Sequence, residues 1–91
     1  MDRAWGYAHD VIDGDTFVMH VTSVSQQNEF VVATFERVRV RLLNAPEITA
    51  RGGSAARERL RRGVVGRRLR IDIYARDVYG RAVANVSTNP L

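Results

Sequence analysis

The residues able to do chemistry in this 91-residue chain fall into three short clusters. They are Val11-Ile12-Asp13-Gly14-Asp15-Thr16-Phe17, then Val38 to Glu47, then Asp77-Val78-Tyr79-Gly80-Arg81. Asp15 and Asn44 offer oxygens to a hard cation, Glu47 is a carboxylate set just past Pro46, and Arg39 and Arg81 are planar, always-charged donors suited to phosphate. Hydrolysis of a phosphodiester asks for such a set: a cation held by oxygens, a base for water, and fixed positive charge for the transition state. Each cluster alone also reads as ordinary structure. Asp13-Gly14-Asp15 and Asp77 to Gly80 can be plain turns, Arg39 one of three solvated arginines with Arg37 and Arg41, and Pro46-Glu47 a strand end with an exposed acid. Their co-occurrence in one chain argues for chemistry.

The elements that must position these clusters are short strands. Apolar Phe17, Met19 and Val21 alternate with other residues, and Val38, Val40 and Leu42 alternate with Arg37, Arg39 and Arg41, the period of half-buried strands. Asp13-Gly14-Asp15 predicts a tight turn after the apolar approach of Val11 and Ile12. Ser23 to Glu29 is a polar hairpin loop, and Phe30 to Phe35 is expected to continue into a strand running to Leu43. After Pro46, Ser54 can cap a helix with Ala56, Leu60 and Val64 on its apolar face, stopped by Gly63 or Gly66. Leu69, Ile71 and Ile73 mark a fourth strand and Ala82 to Ser87 a fifth. The expectation is a mainly β domain with one helix, a five-stranded OB-type barrel of order β-β-β-α-β-β filling residues 1–91 as a single domain.

Charge is distributed unevenly. All fourteen basic residues are arginine, and residues 51–70 hold eight of them against the single acid Glu58, a local charge of +7; the rest of the chain carries six arginines against nine acids. Such asymmetry suits an anionic partner, nucleic acid first among them, with Arg57 and Arg61 on the exposed helix face as contacts. A solvated helix face reads equally well on charge alone. The absence of cysteine excludes disulfides, thiolate metal sites and a cysteine nucleophile. The N-terminal residues show no apolar signal segment, which sets the expectation of a cytoplasmic protein, and no stretch approaches a membrane span.

With these residues in view, the sequence resembles the staphylococcal nuclease (thermonuclease) family over about residues 8–88. The matching features are the Ile12-Asp13-Gly14-Asp15-Thr16 turn, a strand arginine followed by Asn44-Ala45-Pro46-Glu47, and the Asp77-x-Tyr79-Gly80-Arg81 turn, in this order around one helix. The resemblance implies a calcium-dependent nuclease acting on DNA or RNA, with single strands as the expected substrate. In it Asp15, Asn44 and the backbone carbonyl of Ala45 hold Ca²⁺, Glu47 is the general base, Arg39 and Arg81 grip the phosphate, and Tyr79 stacks on a base or sugar. His9 and His20 match no catalytic position of the family and read as structural.

Two features depart from the family pattern. Asn44 stands where the family has an aspartate ligand, so the expected metal site loses a charge and binds calcium weakly. The chain also ends at Leu91, without the family's C-terminal helices, and Ser23 to Phe35 is longer than the usual hairpin, an arm that could serve substrate or a homo-oligomer. The alternatives are an OB module that binds nucleic acid without cutting it, and an assembly protein that oligomerises through the barrel edge or the arm.

Overall fold

The computed structural model describes residues 1–88. Five strands, β1 (Asp2–Asp13), β2 (Thr16–Val24), β3 (Phe35–Val40), β4 (Leu69–Arg76) and β5 (Ala82–Thr88), close into a barrel in the order β1-β2-β3-β5-β4, with helix α1 (Gly53–Val64) between β3 and β4. The expected class, mainly β with one helix in the order of the OB fold, is the one observed. All pairings are antiparallel except β3 with β5, which is parallel. That pairing is what lets a strand on each side of the helix lie side by side.

Inward-facing residues alternate along the strands as sheet geometry requires. Val11, Phe17, Met19, Val38, Leu69, Ile71 and Ala84 are fully buried, and Val64 of α1 joins them from outside the sheet. Burying a side chain of the size of Phe17, Met19, Leu69 or Ile71 contributes about 1.5–3 kcal/mol each. The helix lies on β1 through its apolar face, as its spacing predicts, with Ala56 and Val64 buried. It is tied there by Arg57, whose Nε donates to the Val11 carbonyl at 2.8 Å.

Three local expectations are corrected. The strand expected from Phe30 to Leu43 is limited to Phe35–Val40. Phe30 to Ala33 are apolar, but Val31 is 90% exposed, and the loop hydrogen-bonds to β1 instead: Asp2 accepts from the Glu29 and Phe30 amides, and Asn28 exchanges two hydrogen bonds with the Arg3 backbone. The supposed arm therefore lies back along its own barrel. At the other end, Leu42 with φ 65° breaks the extended conformation. Ser54 is not the cap either: the helix starts at Gly53 after Gly52 at φ 83°, with no side-chain cap. The reason is proximity, because a Cβ on Gly53 would lie 2.0 Å from the Glu47 carbonyl oxygen. Of the two glycines expected to end the helix, Gly66, at φ 77°, lies beyond its last residue, and Gly63 is within it. Among the described residues no helix is long and apolar enough to cross a membrane.

Candidate phosphate-binding site

The β1–β2 turn places Asp15 and Thr16 at one end of the barrel, and strand pairing sets Arg39 directly across from Thr16. The Val40 amide donates to the Asp15 carbonyl at 2.8 Å, fixing β3 against that turn. Asp15 is nearly buried, yet its carboxylate is well supplied with donors. Thr16 Oγ1 donates to Oδ1 at 2.9 Å, the Ala45 amide donates to Oδ2 at 3.2 Å, and Arg39 Nη2 lies 3.6 Å from Oδ2. Burial pushes the Asp15 carboxyl up, but hydrogen bonds from Asp13, Thr16 and Ala45 and the charge of Arg39 outweigh it and hold Asp15 below the ordinary carboxylate range. Asp13 moves the other way. Its own burial and the neighbouring Asp15 raise it, so the two carboxyls titrate as an interacting pair in which Asp15 is the stronger acid.

Arg39 is fastened rather than free. Nη2 donates to Asn44 Oδ1 at 2.8 Å, and Nη1 donates to the carbonyls of Val40, at 2.7 Å, and Leu43. A guanidinium has five N–H donors, and three of Arg39's bond these oxygens, which folds the segment after β3 around it. Arg81 is held differently. Asp77 accepts from its backbone amide at 2.9 Å and from its Nε at 2.6 Å, while Nη1 reaches Thr16 Oγ1 at 3.5 Å. Nη2 of Arg81 has no protein acceptor among the described residues. Asp77 lies below the ordinary carboxylate range because these hydrogen bonds, with that from Tyr79 and the charge of Arg81, outweigh its desolvation.

The structure thus brings Asp15, Arg39, Asn44, Ala45 and Arg81 into one contiguous cluster. It does not gather every residue expected there. Glu47 is exposed beyond Pro46 and its carboxylate has no hydrogen bond or ion pair among the described residues, although its backbone accepts from the Ala50 amide at 2.8 Å. Tyr79 is exposed at the turn, 5.3 Å from the Arg81 guanidinium. Arg57 is spent on the Val11 carbonyl, and Arg61 pairs with Glu58 at 3.5 Å on the helix surface. The structure adds Thr16 and Asp77, which link and aim the cluster; each stands inside one of the polar clusters, Val11 to Phe17 and Asp77 to Arg81. Beside the cluster, a groove of about 460 Å³ runs between Gly14, Asn44, Pro46 and the α1 residues Ala56, Arg59 and Leu60.

As a calcium site the cluster is right in donor type and thin in charge. Asp15 Oδ2 and Asn44 Oδ1 converge on one cationic nitrogen, Nη2 of Arg39, so a metal between them would take the place of that guanidinium. Among the described residues no three His, Asp or Glu side chains gather as metal ligands.

No family model matches the chain. A stretch of 62 residues is 39% identical to an "Uncharacterized 38.1 kDa protein" of Capnoides sempervirens, which covers 68% of this chain and 18% of that protein. The chain therefore spans less than a fifth of the length of that relative.

Proposed function

We propose that this protein binds the phosphodiester backbone of nucleic acid between Arg39 and Arg81 and hydrolyses it with calcium as cofactor. One observation carries the reading. Two guanidiniums from distant parts of the chain approach the Asp15–Thr16 dipeptide, Arg39 at 3.6 Å from Asp15 and Arg81 at 3.5 Å from Thr16. Asp77 fixes the plane of Arg81 through Nε, and Nη2, with no acceptor among the described residues, is free to donate to a phosphate oxygen. Arg39 adds fixed charge on the other side, where it opposes the negative charge that grows on phosphorus. Asp15, Asn44 and the Ala45 carbonyl would hold the cation once Arg39 Nη2 has left the two side-chain oxygens for the phosphate, and the bound cation would supply a Lewis acid for phosphate and water. Glu47, on the loop past Pro46, would take a proton from the attacking water as the water oxygen bonds to phosphorus and the ester P–O bond breaks, the departing alkoxide taking a proton from solvent.

A second reading, binding without hydrolysis, is favoured by the grip of Arg39 on both Asp15 and Asn44, which neutralises the metal ligands, and by the exposed position of Glu47. A labelled single-stranded oligonucleotide incubated with calcium, and with chelator, separates the two. Hydrolysis predicts calcium-dependent cleavage that Glu47→Gln lowers about 10²- to 10⁴-fold while binding persists. Binding without cleavage, lost in Arg81→Ala, selects the second reading; a parent protein with no affinity for the oligonucleotide refutes both.

A further inference from the structure

Along the β2–β3 ladder the cluster continues into a row of side chains on the face opposite the core. Phe17, Met19, Glu36 and Val38 are buried, so Thr16, Val18 and His20 on β2 and Arg39, Arg37 and Phe35 on β3 share the other face, paired Thr16 with Arg39, Val18 with Arg37, and His20 with Phe35; Thr16 is covered there, while His20, Arg37 and Phe35 are exposed. At the far end the His20 and Phe35 rings stack with centroids 5.0 Å apart and planes 18° from parallel. His9 meets Phe35 edge-on at 4.9 Å. It can do so because it is the extra residue of a bulge: Ala8 pairs with Met19 and Asp10 with Val18, leaving His9 without a partner, and a bulge re-aims the side chain it carries. Despite two aromatic neighbours, Phe35 remains 53% exposed.

We infer that this row is a track for single-stranded nucleic acid, with His9, Phe35 and His20 as a platform on which an unpaired base stacks. The inference rests on the phosphate-binding reading and names its substrate: a strand whose bases are free of a partner. Arg39 lies four residue steps along β3 from Phe35, about 13 Å at the usual rise of a strand, so one bound strand spans both ends. Charge along the path is complementary to phosphate. Arg37 lies midway, exposed, with no acceptor or carboxylate partner among the described residues, and Asp10, the acid at that level on β1, forms no ion pair with it. Base stacking on aromatic side chains is tolerant of sequence and needs a base released from its duplex, which excludes double-stranded substrate from the platform.

The test compares two probes by fluorescence anisotropy in chelator: an oligothymidylate octamer and an abasic deoxyribose-phosphate strand of the same length. The parent should bind the octamer more tightly than the abasic strand. Phe35→Leu, conservative at an exposed position, should weaken octamer binding about 5- to 150-fold and leave abasic binding unchanged, and Phe35→Trp should retain octamer affinity. Arg81→Ala should weaken both probes. Equal parent affinity for the two probes, or an octamer affinity indifferent to Phe35→Leu, overturns the platform, while loss of both in Arg81→Ala would leave the phosphate reading standing. Failure of the parent to bind either probe removes the phosphate reading itself. A shift from dimer to monomer in sedimentation of Phe35→Leu, with octamer affinity intact, would assign the patch to a second copy of this chain and also overturn the proposal.

Discussion

Asn44→Asp tests the site at its weakest point. In the present fold Asn44 Oδ1 accepts from Arg39 Nη2 at 2.8 Å, and the same nitrogen lies 3.6 Å from Asp15 Oδ2. A carboxylate at position 44 turns a neutral acceptor into a charged one, raising the net worth of that hydrogen bond from about 1 kcal/mol to about 1.5–3 kcal/mol. Against this stands repulsion from Asp15. Two unit charges about 6 Å apart interact by ~0.7–2.8 kcal/mol for dielectric constants between 80 and 20. The two effects nearly cancel, so without metal the melting temperature should stay within about 5 °C of the parent. Calcium breaks the balance, since a second carboxylate strengthens metal binding by an amount we set at about 1–3 kcal/mol, roughly 5- to 150-fold in affinity. Calorimetric titration with calcium, and thermal melts in calcium and in chelator, read both quantities on the same samples. Calcium binding equal in parent and variant would show that position 44 does not face the metal, and the ligand set of Asp15, Asn44 and Ala45 would be abandoned.

Other substitutions probe the scaffold. Glu36 is 5% exposed and pairs with Arg76 while also accepting from the Ala33 amide at 2.9 Å; Arg76→Ala should cost about 2–3 kcal/mol in urea denaturation, less than a fully buried pair because Arg76 is partly solvated, and Glu36→Gln in that background should recover part of the loss. Because Asp13 is raised above its ordinary value of 3.8, its contribution to stability is present below that value and is lost as pH rises through the folded pKa. Asp13→Asn should therefore raise the melting temperature at pH 7, with the gain narrowing as the pH falls toward 3.8; a variant no more stable at pH 7 would contradict the assignment. Gly53→Ala pushes a methyl toward the Glu47 carbonyl and should destabilise by about 1–3 kcal/mol, whereas Gly63→Ala, with open space around the added carbon, should stabilise by about 0.5–1 kcal/mol.

The elements most legible in the sequence were those whose pattern follows from a single local rule. Val38 and Arg39 alternate because one face of β3 is core and the other solvent, and Ala56, Leu60 and Val64 repeat because one stripe of α1 lies on the barrel. β1 was read only from Val11 and Ile12 onward, because bulges at Trp5/Gly6, Ala8/Asp10 and Val11/Asp13 break the period of two on which the reading depends. The same irregularity hid the platform: nothing in the spacing of His9, His20 and Phe35 places them together, since a bulge and two strand registers must be known first. Arg57 shows the opposite failure. Its place on a charged helix face suggested solvent or phosphate, but its reach to the Val11 carbonyl depends on the depth at which α1 sits, which charge patterning does not encode.

The parallel pairing of β3 with β5 governs how the protein is made. β1 must find β4 across most of the chain and β3 must find β5 across about half of it, so the barrel is rich in non-local contacts and should fold in milliseconds to seconds rather than microseconds. On the ribosome the order of emergence matters as well. Asp15, Arg39 and Asn44 leave the exit tunnel well before Arg81, and β5, which carries Arg81 to Thr16, closes the barrel last. The anion site is therefore complete only when β5 pairs with β3 and β4 and brings Arg81 to Thr16.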